Sequence, residues 1–72
     1  MASDGWEARA ANLLKAELKR KGLTYAQLAE RIGDKEPNVR NKLSRGKFSA
    51  AFLLQCLYTI GVGRIDLGDL AE

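Results

Sequence analysis

Glycine stands at 22, 33, 46 and 61, each time directly behind a stretch whose apolar residues recur every three or four positions. Glycine is the residue that most often follows a finished helix. The spacing therefore predicts an all-α fold of four to five short helices. The first covers about 6–21, with Trp6, Ala10, Leu13, Leu14 and Leu18 on one face and Arg9, Lys15, Lys19 and Arg20 opposite. Asp4 is its expected cap, with Glu7 closing a capping box, and Lys19, Arg20 and Lys21 meet the negative end of the helix dipole. Thr24 caps a second helix at about 25–32 with Leu28, Ala29 and Ile32 inward. Asp34, Lys35 and Glu36 make a tight connection. Pro37 is tolerated only in a first turn, so a third helix starts near Glu36 and runs through Val39 and Leu43 to about Arg45. Ser49 caps a fourth at about 50–60. The tail from Val62 to Glu72 reads two ways, as a short strand at Ile65-Asp66-Leu67 or as a frayed helical turn between Asp66 and Ala71.

Seventy-two residues make a single domain, 1–72. A chain of this size buries only about 60% of the surface that it exposes when unfolded, so a lone copy has modest stability. The single cysteine, Cys56, cannot form an intramolecular disulfide. With no histidine and no second thiol there is no zinc spacing and no metal site to expect. A buried, reduced thiol in a reducing cytoplasm is the expectation. The polar start, Met1 to Trp6, has no apolar leader segment, and the longest apolar run, Ala50 to Leu54, is far too short to span a bilayer. Enzymatic readings have little to stand on. No carboxylates are paired at a catalytic spacing, and Gly61-Val-Gly63 follows a helix where a phosphate loop would precede one. No catalytic residue, cofactor or small-molecule substrate is expected.

The charge is +3 overall but uneven. Residues 1–47 carry eleven Lys and Arg against six Asp and Glu, and residues 48–72 carry one against three. A local basic excess suits a polyanion, though it equally suits a solvated surface. What sharpens the reading is Leu23 to Gly46. Two short helices joined at Gly33 form a helix-turn-helix. Ala29 is small where the helices cross, and Val39 and Leu43 tie the second helix to the core. Lys35, Glu36, Asn38, Arg40, Asn41 and Lys42 are left to point outward.

Leu23-Thr-x-x-x-Leu-Ala-x-x-Ile-Gly33 resembles the first half of the motif in lambda-repressor/Cro-like helix-turn-helix regulators. Val39-Arg-Asn-Lys-Leu43-Ser-Arg-Gly46 is similar in spacing to the recognition helix of phage Cro proteins, and Phe48 to Val62 to the fourth helix of the class. Trp6 to Val62, about four-fifths of the chain, also resembles a group of short, mostly alphaproteobacterial proteins of unknown function. That likeness is carried by Arg40-Asn-Lys-Leu-Ser-Arg-Gly-Lys-Phe-Ser-Ala-Ala-Phe-Leu-Leu-Gln-Cys-Leu57. Two positions depart from the repressor pattern. Tyr25 stands where the class has a phosphate-binding Gln, and a phenol donates the same hydrogen bond. Asp34 stands where an apolar residue usually seals the turn.

The resemblance implies double-stranded DNA as partner, in a cytoplasmic, nucleoid-associated regulator. It implies base contacts from Glu36, Asn38, Arg40 and Asn41, with Arg suited to guanine and Asn to adenine. Phosphate contacts would fall to Thr24, Tyr25, Lys35, Lys42, Ser44, Arg45 and Lys47. Plainer roles stay open. Arg40 and Asn41 also read as ordinary exposed helix residues, Glu36 as a helix cap, and the Lys42 to Lys47 cluster as a partner for the helix dipole. Trp6, Phe48 and Tyr58 read as packing residues.

The fourth helix has hardly any polar face. Leu53, Leu57 and Ile60 fit an internal core, which leaves Phe52, Leu54 and Tyr58 outward. With Ile65 and Leu67 these five form the expected interface of a homodimer. The alternative is a protein-interaction module that uses the same apolar face without productive DNA binding.

Overall fold

The computed structural model describes residues 2–70, with side chains for 5–68. Four α-helices, α1 (Ala2–Lys21), α2 (Tyr25–Ile32), α3 (Glu36–Arg45) and α4 (Ala50–Thr59), precede a 3-10 turn at Leu67–Leu70. No strand occurs among the described residues, so the tail follows its helical alternative in part, with Ala71 outside them.

α1 begins before the expected position. It passes through Asp4, which therefore cannot cap it, and Glu7 has no capping box to close. The alanine-rich segment behind Trp6 propagates helix toward the N-terminus, and Gly5 costs only about 1 kcal/mol inside it. The buried line of α1 is Ala11, Leu14 and Leu18. Trp6 lies off that line and is 56% exposed, with the Arg9 guanidinium 4.9 Å above its ring. Glu17 is buried instead, and its carboxylate lies 3.5 Å from Arg20 Nη1.

α2 is capped at both ends by local chemistry. Thr24 Oγ1 accepts from the Gln27 N–H at 3.1 Å, and Gln27 Oε1 accepts from the Thr24 N–H at 2.8 Å. This reciprocal pair satisfies two orphan donors of the first turn. Gly33 closes the helix at φ 73°, a left-handed conformation that a Cβ disfavours. The Asp34 N–H then reaches the Ala29 carbonyl at 2.9 Å, which turns the chain sharply into α3.

The first turn of α3 holds Pro37, and Lys35 supplies no side-chain cap. Asp34 braces this start without capping it. Its Oδ1 accepts from the Lys35 N–H at 2.7 Å and from Asn38 Nδ2 at 3.0 Å. Ser49 Oγ caps α4 through the Phe52 N–H at 3.0 Å.

α1 and α2 both pack against α3 and α4. Leu14, Leu18, Leu28, Ala29, Val39, Leu43, Phe52, Cys56, Leu57 and Ile60 form one core. Ile32 and Leu53 flank that core half-buried, as does Phe48, whose ring lies 5.4 Å from that of Phe52. Phe52 thus departs from the expected dimer face: it is 8% exposed and belongs to the core of a single chain. An almost wholly apolar helix leaves its phase undetermined by pattern alone, and packing settles it with 52, 56, 57 and 60 inward. Leu54 and Tyr58 are 66% and 85% exposed; in the tail Ile65 shares a cleft with them, while Leu67, also exposed, lines one with Glu17 and Arg20.

Candidate nucleic-acid interface

The Gly33 turn presents one side of α3 to solvent. Val39 and Leu43 are fully buried, four residues apart, and fix the rotation of the helix about its axis. Asn38, Arg40, Asn41, Ser44 and Arg45 are consequently exposed, with Lys35 just ahead of them and Lys47 just beyond. Glu36 and Lys42 are half-buried at its flanks.

On one flank Arg40 forms an ion pair with Glu36, one helical turn back. Its guanidinium also lies 5.9 Å from the centre of the Tyr25 ring, at the start of α2. Planar guanidinium stacks well on an aromatic face, so Arg40 is held in one orientation by two elements. On the other flank Lys42 Nζ lies 3.5 Å from Asp34 Oδ2 and 4.5 Å from the Phe52 ring centre. Asp34 thereby holds the helix start and a helix cation together. The hydrogen bonds from Asn38 and the Lys35 N–H, with Lys42 nearby, keep its carboxyl below the usual carboxylate range. An apolar seal is replaced here by a polar clasp.

Beyond Gly46, Lys47 Nζ meets Glu7 Oε2 at 3.3 Å, a contact across forty residues of sequence. An open cleft of about 290 Å³ lies between α1 and the end of α3, with Lys15, Arg45 and Lys47 along its walls. Among the described residues, no ion pair or hydrogen bond occupies the side chains of Lys35, Asn41 or Arg45. Thr24, expected to touch phosphate, already uses its hydroxyl in the cap of α2.

Apart from Thr24, the set predicted from sequence is thus brought onto α3 and its margins, with Tyr25 joined to it through Arg40. The pattern did not disclose Asp34 as a clasp, nor Glu7 as the partner of Lys47. An Asx side chain two residues before a helix start is a local signal that could have pointed to the first. The second exists only in the folded chain.

The other titratable feature is internal. Cys56 is fully buried in the core, and burial pushes its thiol up to about 11; nearby Lys42 opposes this and Asp34 adds to it. Such a thiol stays protonated and inert. No helix among the described residues is long and apolar enough to cross a membrane.

No curated protein and no solved structure matches the chain. A family model does match, over residues 6–65, from the first turns of α1 through α4 and into the tail. The chain therefore belongs to the family described as Domain of unknown function (DUF6471).

Proposed function

We propose that this protein is a lambda-repressor-like helix-turn-helix domain that binds duplex DNA selectively and acts as a homodimeric transcriptional regulator. The observation that carries the reading is the exposed polar face of α3, anchored from behind by Val39 and Leu43 and set at a sharp turn after α2. In this reading α3 enters the major groove. Arg40, Asn41, Asn38 and Glu36 face base edges, and α2 crosses the backbone at Tyr25. Lys35, Lys42, Ser44, Arg45 and Lys47 meet phosphates. A second copy joined through Leu54, Tyr58, Ile65 and Leu67 would set two such helices about 34 Å apart, one turn of B-DNA. A nucleoid-associated location follows from the same reading.

The test is a titration on duplex DNA at several salt concentrations. Eight neutralised phosphates per dimer give a slope of log K against log salt of about −7. Arg40→Ala should cost about 1–3 kcal/mol on the preferred site and flatten the preference there, while Lys35→Ala should weaken all duplexes alike. An unchanged preference order in Arg40→Ala refutes base reading through that residue. The second reading, a protein-interaction module, is favoured by the exposure of Leu54 and Tyr58. Absence of duplex binding at low salt would decide for it.

A further inference from the structure

Three cations of the proposed DNA face already hold a carboxylate of their own chain: Arg40 holds Glu36, Lys42 holds Asp34 and Lys47 holds Glu7. The first two acids lie within or beside α3 and help to build it. Glu7 is different. It comes from the far element α1, and it caps nothing.

Its position is nevertheless fixed. Gly46, at φ 67°, lets the first turns of α1 approach so closely that a Cβ there would stand 2.7 Å from the Glu7 carbonyl oxygen. The backbone of Glu7 is thereby pressed against the end of α3, and its side-chain Oε2 lies 3.3 Å from Lys47 Nζ. Lys15 and Arg45 line the same cleft. A phosphate entering it would meet three cations and one anion, and the anion already occupies one of the cations.

We infer that Glu7 is a built-in competitor for DNA phosphate at Lys47, a residue that restrains non-specific affinity. The inference rests on the DNA-binding reading. The ion pair is exposed, with side-chain exposures of 67% for Lys47 and 36% for Glu7, so phosphate can displace the carboxylate without unfolding anything. Its effect is electrostatic. A phosphate that must displace the carboxylate from Lys47 forgoes the worth of one exposed ion pair, about fourfold in affinity per protomer. Salt erodes that difference as the screening length falls below the separation.

The experiment compares wild type, Glu7→Gln, Lys47→Ala and the double variant on random-sequence duplex at low and high salt. Thermal unfolding of each protein serves as a control for folding. Glu7→Gln is isosteric on a helix surface and should retain the wild-type midpoint. The expected result is about fourfold tighter binding per protomer by Glu7→Gln at low salt, convergence with wild type at high salt, and loss of most of the gain when Lys47 is absent. Wild-type binding that Glu7→Gln leaves unchanged overturns this inference alone. A gain of equal size in the Lys47→Ala background also overturns it, because the carboxylate would then act through its general field. No duplex binding by any of the four proteins overturns the DNA-binding reading and this inference with it.

Discussion

Replacing Gly46 by alanine separates two costs that usually travel together. Gly33 and Gly46 both end helices with left-handed backbones, at φ 73° and 67°. A Cβ at Gly33 would meet nothing within 4 Å, whereas one at Gly46 would meet the Glu7 carbonyl oxygen at 2.7 Å, its carbon at 3.0 Å and the Glu7 Cβ at 3.2 Å. Both alanines carry the left-handed penalty of roughly 1–2 kcal/mol. The stiffer unfolded chain offsets roughly 0.4–1 kcal/mol of it, so Gly33→Ala should cost about 1 kcal/mol. Gly46→Ala adds overpacking against backbone, which has no rotamer to yield, and this costs about 1–3 kcal/mol more. Urea unfolding followed by far-UV circular dichroism reads the difference as a lower midpoint at unchanged m. In a domain of this size the extra 2 kcal/mol or so lowers Tm by about 10 °C beyond the Gly33 variant. Equal losses in the two variants would refute the close approach of α1 to the end of α3.

Three further outcomes follow from features already described. Leu54→Glu and Tyr58→Glu change exposed side chains, so both should stay folded and sediment as monomers at concentrations where wild type is dimeric; a wild type that is monomeric throughout refutes the proposed interface. Thr24→Ala removes the acceptor for the Gln27 N–H and should cost about 1 kcal/mol of stability, visible as an earlier urea midpoint, with an unchanged midpoint counting against the cap. Cys56 has its thiol raised from 9.0 to about 11 in the folded chain, so its contribution to stability is complete below pH 9 and is lost as pH rises through 11; replacing Cys56 by alanine should flatten that alkaline decline, and thiol reagents at neutral pH should label wild type only as it unfolds.

What was legible in the sequence is what is encoded within a few residues. Thr24, Gly33, Pro37 and Ser49 place the ends of α2, α3 and α4 because caps act over one turn. Thr24-x-x-Gln27 obeys the same capping-box rule that points to Asp4, where α1 instead runs on through the position. Val39 and Leu43 identify the buried side of α3 because their spacing matches one helical turn and their neighbours are polar. Phe52 was misread because α4 offers no polar residues to mark the opposite face. The polar clasp at Asp34 is local, spaced at 34, 38 and 42 along one helix and the turn before it, and was missed because an apolar residue is the usual seal there; the Glu7–Lys47 pair joins groups whose proximity depends on how whole helices pack.

The length of α1 carries a consequence for how this family can vary. Twenty residues of helix span about 30 Å, close to the 32 Å long axis of the molecule. One end sets Glu7 against Gly46, the middle buries Leu14 and Leu18, and the other end brings Lys21 Nζ within 3.4 Å of the Gly61 carbonyl. A single inserted residue between Ala8 and Leu13 would turn one end by about 100° relative to the other. Seven inserted residues would nearly restore the phase but lengthen the helix by about 10 Å. α1 is thus a ruler that tolerates substitution and not resizing. Homologues should carry their insertions and deletions in the segment after Gly61, and none within the first helix.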